Sequence, residues 1–196
     1  MSTKTNKLKT KELIVAGAFA ALYVVVLFAL STVLGALPIL YLMAPFIGSI
    51  VLGSIYMMYV TKVPKFGAIL ILAAAVGLLT STGGVWVALI WCLVLGLVAE
   101  LIARMGNHKS KKSYILSHAV FACSNMGPFW MLVYAKPSFI QACEIYYGAD
   151  YAATLDKLTP SWIILVLIGS AMLGGLIGGL VGSRLLKKHF QKAGVV

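Results

Sequence analysis

Apolar and polar residues alternate in long blocks along this chain, giving six apolar runs joined by short polar connections. The runs cover about residues 12–34, 39–60, 66–82, 85–105, 113–135 and 161–187. A helix rises about 1.5 Å per residue, so about 20 apolar residues cross the roughly 30 Å of a bilayer's hydrocarbon core. The expected fold is an all-α integral membrane protein: six transmembrane helices in one compact bundle, a single domain over residues 1–196. The first run, ELIVAGAFAALYVVVLFALSTVL, carries one charge, Glu12, at its start. In the second, Pro45 kinks the helix or sits in its first turns. The third is short and ends in the polar stretch Thr80-Ser81-Thr82-Gly83-Gly84, and Gly127-Pro128 interrupts the fifth. Residues 136–160 form the longest hydrophilic connection, an outer loop with room for one or two short helices on the membrane surface.

Composition agrees with a membrane location. The chain is 61% hydrophobic and 11% charged, against about 25% charged in soluble domains. Six crossings leave no length for a nucleotide-binding domain. The net charge of +11 raises the question of nucleic acid, but the cations sit in clusters between apolar runs, so no nucleic-acid partner is expected. Four lie on the N-terminal flank, two after the second run, four after the fourth and four at the C-terminal end. The other connections hold Lys136 and Lys157. The positive-inside rule then puts both termini in the cytoplasm and the 136–160 loop outside. Cys92, Cys123 and Cys143 have no metal-ligand spacing and imply no disulfide framework. The first run is too long, and lacks the small-x-small ending, for a cleaved signal peptide.

The candidate chemistry is sparse. Within the runs there is no pair of carboxylates, no Walker lysine loop and no nucleophile beside a base, so no enzyme activity, cofactor or metal is expected. Tyr114, His118, Phe121, Asn125 and Phe129 recur on one helical face. A polar group in hydrocarbon is costly unless it faces the bundle interior or a wet cavity. Asn125, beside the Gly127-Pro128 break, either bonds a neighbouring helix or presents its donors and acceptor to the edge of a solute; His118 is read as structural. Trp86, Trp130, Tyr134 and Trp162 cluster near the outer ends of the fourth to sixth runs. They fit an interfacial belt and equally a pocket with flat walls, to which Phe129, Thr82 and Tyr146 would add. Glu100 and Arg104, four apart, read as an intrahelical ion pair.

Small residues four apart let helices approach closely. The sixth run has two such ridges: Ser170, Gly174, Gly178 and Gly182, and Ala171, Gly175, Gly179 and Ser183. Internal packing, partner contact and sliding all use such ridges. The first run has Ala16, Gly17, Ala20 and Ala21 on its basic-terminal half.

Six runs in this length, basic flanks and this early small-residue motif together resemble the substrate-binding S component of an energy-coupling factor (ECF) transporter. In that family an A-x-x-x-A pattern in the first span contacts the transmembrane coupling subunit, EcfT. Here Ala16-x-x-x-Ala20 and Gly17-x-x-x-Ala21 both match. KLKTKELIVAGAFAALY, LPIL and TKVPKFG also resemble the uncharacterised Trep_Strep group of proposed S components. The resemblance implies a protein of the bacterial cytoplasmic membrane that captures a vitamin or vitamin precursor from outside. It would then dock on EcfT, with two ECF ATPases supplying the energy. It places the solute among the fourth to sixth spans and outer loops, where Trp86, Asn125, Trp130 and Trp162 lie. The N-terminal His segment of metal-transporting members is missing. A non-transporting scaffold subunit and a stand-alone secondary carrier remain as alternatives.

Overall fold

The structure, a computed structural model, describes residues 8–81 and 86–192, with side chains through residue 187. The described residues form helices and contain no strand. They are α1 (Thr10–Gly35), α2 (Pro38–Lys62), α3 (Ala68–Ser81), α4 (Trp86–Met105) and α5 (Lys111–Ala122). A 3-10 segment (Cys123–Trp130) follows, then α6 (Met131–Tyr134), α7 (Lys136–Tyr147), α8 (Ala149–Leu158) and α9 (Ile163–Lys192).

Four of these, α1, α2, α4 and α9, are long and apolar enough to cross a membrane. The expected six uniform crossings therefore need correction. The third run yields an α3 of only 14 residues. The fifth is divided among α5, the 3-10 segment and α6. Gly127-Pro128 accounts for the location of that division, since proline lacks an amide hydrogen and clashes with the preceding turn. Residues 136–160 hold two short helices, α7 and α8.

Unlike a soluble protein, the bundle is apolar on its outside as well as inside. Ile14, Val25, Phe28 and Val33 on α1, Ile90 and Val94 on α4, and Leu165 and Leu173 on α9 are exposed. The interior is filled by Tyr23, Leu52, Tyr56, Tyr59, Leu72 and Phe121, each essentially inaccessible. Outward apolar side chains carry no penalty in lipid, where helix association rests on close packing.

Close packing is what the α9 glycines provide. A Cβ at Gly178 would fall on the backbone of Ser49 and Ile50; one at Gly182 would meet Gly53 and Ser54; one at Gly174 would strike the Phe46 carbonyl. These three therefore form the seam with α2. The second ridge faces α5, where a Cβ at Gly175 would sit 2.8 Å from Ala119. Both ridges are used inside the bundle.

The basic ends of the helices meet around Glu100, which is fully buried on α4. Its Oε2 accepts the Ile69 amide at 2.9 Å, and the Gly67 and Leu70 amides lie close by. Glu100 thus caps α3, whose first amides have no acceptor within their own helix. The expected Glu100–Arg104 pair does not form: Glu100 faces α3, and the Arg104 guanidinium lies over the Phe66 ring at 5.5 Å. Lys65 and Glu12, 2.8 Å apart, tie the start of α1 to the α2–α3 loop. Tyr59 donates to the Ala68 carbonyl at the same end.

Candidate binding site

At the opposite end of the bundle a cavity of about 430 Å³ opens among α1, α2, α3, the 3-10 segment, α6 and α7. Its position follows from three local features. The 3-10 segment replaces the wider α-helical turn and draws Gly127 against Ala88 and Thr80, where a Cβ would come within 2.7 Å of Ala88. Leu27, Phe28 and Ser31 supply the α1 wall. Helix α7 closes one side with Phe139 and Ala142.

Three rings form a flat tier along that side. Tyr41 of α2 stacks on Phe129 with centroids 4.6 Å apart and planes 23° apart. Phe139 lies 6.1 Å from Tyr41, its plane 29° away. Offset-stacked rings at such spacing contribute about 0.5–1.5 kcal/mol per pair beyond their burial. All three rings line the cavity, so a planar guest would meet aromatic edges and faces there.

Polar groups in the wall are few. The Thr80 hydroxyl donates back to the Val76 carbonyl at 2.9 Å and lies 3.8 Å from the Cys92 Sγ. Asn125 is 9% exposed, and neither its amide nitrogen nor its oxygen has a hydrogen-bond partner. The fully buried Tyr23 hydroxyl lies beside it, within pairing reach of the amide. Buried polar groups are paired in the great majority of cases, and an orphan costs about 1–3 kcal/mol. Asn125 lines the cavity, and its amide marks where a guest would be read.

The sequence-derived candidates are not all brought here. Asn125 and Phe129 line the cavity. Trp130 lies behind it, edge-on to Trp91 at 4.9 Å, while Trp91 donates to the Cys123 carbonyl at 2.7 Å. Trp86, Trp162 and Tyr146 are 75%, 60% and 81% exposed, and none lines this cavity. An indole at a helix end satisfies belt and pocket equally in sequence; outward exposure fits the belt. Thr82 lies outside the described residues. His118 is buried and donates Nδ1–H to the Gly175 carbonyl at 2.7 Å, a structural bond between α5 and α9. Tyr41 and Phe139 carry no signal of their own in the sequence, since each is an ordinary aromatic on a helix whose facing partner is set by the fold.

Helix α1 sorts its small residues onto two faces. Ala16 and Ala20 are buried in the core beside Tyr23. Gly17 and Ala21 are exposed, and a Cβ at Gly17 would meet nothing within 4 Å.

A sequence profile for a family described as hypothetical bacterial integral membrane proteins, Trep_Strep, matches residues 10–192. The chain belongs to the Trep_Strep family. That match spans every helix above, so the cavity and the exposed α1 face both fall within the Trep_Strep region. Comparison with curated proteins and with solved structures gives no match. Membership in Trep_Strep establishes a bacterial integral membrane protein, in accord with the lipid-facing surface of the bundle.

Proposed function

We propose that this Trep_Strep protein is the S component of an ECF transporter, capturing a small organic nutrient such as a vitamin or its precursor. In this reading the chain crosses the membrane six times with both termini in the cytoplasm. Helix α3 and the α5–α6 stretch then serve as the two irregular crossings. The cavity faces outside, and EcfT with its two ATPases engages the cytoplasmic half of α1.

The observation that carries the reading is the division of α1. Its outer half lines the cavity through Leu27, Phe28 and Ser31. Its basic half turns Gly17 and Ala21 outward while Ala16 and Ala20 hold the core. One rigid helix thus joins a candidate solute chamber to a flat face on which another helix can lie closely. Of the two small-residue registers, Gly17-x-x-x-Ala21 is the one free for a partner.

The test is co-purification with EcfT and the ATPases. Gly17→Leu and Ala21→Leu should abolish capture while leaving the thermal midpoint of the isolated protein unchanged. Ala16→Leu should instead lower that midpoint. Capture that survives both outward substitutions would refute the assigned face. Solute uptake in cells lacking every ATPase partner would point to a secondary carrier.

A further inference from the structure

We infer that the cavity selects an uncharged, planar solute bearing a carboxamide or lactam edge, and rejects the corresponding carboxylate. The inference deepens the S-component reading and rests on it for the direction of transport only.

The first argument is the charge of the wall. None of the described residues lining the cavity is Lys, Arg, His, Asp or Glu. Lys136, one turn before Phe139, is already committed: its Nζ sits 2.8 Å from the Asp156 carboxylate. It also donates to the Thr159 carbonyl at 2.6 Å. A carboxylate entering such a chamber loses its hydration and gains no counter-charge, which disfavours it strongly.

The second argument is the shape of the unpaired polar edge. The Asn125 amide offers a donor and an acceptor side by side, and both are unmet. A lactam or primary carboxamide presents the same two groups in the opposite order and pairs with both at once. A carboxylate presents acceptors alone, so one oxygen would face the Asn125 carbonyl. The Tyr23 hydroxyl, buried behind the wall beside the amide, can orient that amide. Sites built on buried polar groups discriminate strongly, because a mismatched guest leaves them unsatisfied.

The third argument is the tier formed by Phe129, Tyr41 and Phe139. It favours a flat ring over an aliphatic chain.

The experiment is calorimetric titration of the purified full chain in nanodiscs with two matched pairs. These are nicotinamide against nicotinate, and lumazine against its 6-carboxylate. At least one neutral member should bind, with its carboxylate partner about a hundredfold weaker or more. Asn125→Leu should weaken the neutral member about tenfold or more without lowering the ligand-free thermal midpoint. Equal or tighter carboxylate binding would overturn the inference. So would neutral binding unaffected by Asn125→Leu, or no binding of either neutral probe up to about 10 mM. Co-purification with EcfT is scored separately. Capture of EcfT without neutral binding sinks the solute class alone, and neutral binding without EcfT sinks the S-component reading alone.

Discussion

One buried side chain and two glycines carry the sharpest consequences at the scale of single residues. Glu100 sits on an apolar helix yet has a defined task, accepting the Ile69 amide at the start of α3. Glu100→Leu leaves those amides without an acceptor and should cost about 1–3 kcal/mol. Glu100→Gln keeps a carbonyl oxygen and should cost less; thermal unfolding of the purified protein ranks the two. Gly178 and Gly17 look alike in sequence, each one member of a four-residue spacing. Gly178→Ala drives a methyl into the α2 backbone and should destabilise by about 1–3 kcal/mol. Gly17→Ala meets open space and should be neutral or raise the midpoint slightly, since alanine favours helix by about 1 kcal/mol. The spacing of these residues was legible beforehand, but which face each occupied was not. That depends on how α1 and α9 are rotated, and rotation is set by tertiary contacts alone. The Glu100–Arg104 spacing misled for the same reason: an i, i+4 relation says that two side chains are neighbours, not that they prefer each other to a helix start or an aromatic ring.

At the scale of elements, the long apolar helices were readable because uninterrupted runs have one outcome in a bilayer. The break in the fifth run was readable too, from Gly127-Pro128. Its extent was not, because the 3-10 segment is held by contacts with α3 and α4 that lie far away in sequence. The 136–160 connection resolves into an α7–α8 hairpin with its own small core of Cys143, Ala152 and Leu155. It turns at Gly148, whose φ of +93° suits glycine and strains other residues. Lys136 closes the hairpin on itself through the Thr159 carbonyl and Asp156, and the Tyr151 hydroxyl moors it to α1 through the Gly35 carbonyl at 2.9 Å. Tyr151→Phe combined with Lys136→Ala should speed amide hydrogen exchange across 136–158 while leaving α2 and α9 unchanged. Equal acceleration in α9 would mean that the hairpin is no separate unit. Because Phe139 belongs to both the hairpin and the cavity wall, the same double variant should release a bound neutral solute faster.

The whole molecule adds an orientation. All three cysteines are free and buried, so a cysteine placed on the surface can be labelled against a low background. In the six-crossing arrangement, Lys109→Cys should resist a membrane-impermeant maleimide in intact cells and react after permeabilisation. Thr154→Cys should react in intact cells. The reverse pattern would invert the topology, put the cavity inside and remove the capture role. The candidate site was partly legible at this scale. Asn125 and Phe129 stood out as a polar residue and an aromatic beside a helix break, whereas Tyr41 and Phe139 joined them only through the fold. The tryptophans stood out equally, but an indole at a helix end looks the same in sequence whether it faces lipid or a guest.

The cap on α3 also bears on how the protein is made. Helix α3 has 14 residues, fewer than the roughly 20 that cross a bilayer unaided, and its first amides rely on a carboxylate that follows on α4. A chain emerging from the ribosome therefore lacks this acceptor until Glu100 has been synthesised. Helices α3 and α4 should then settle together as a hairpin, the later segment completing the earlier one. Chains stalled between Ser81 and Glu100 should leave α3 open to extraction, and stalls beyond Met105 should protect it.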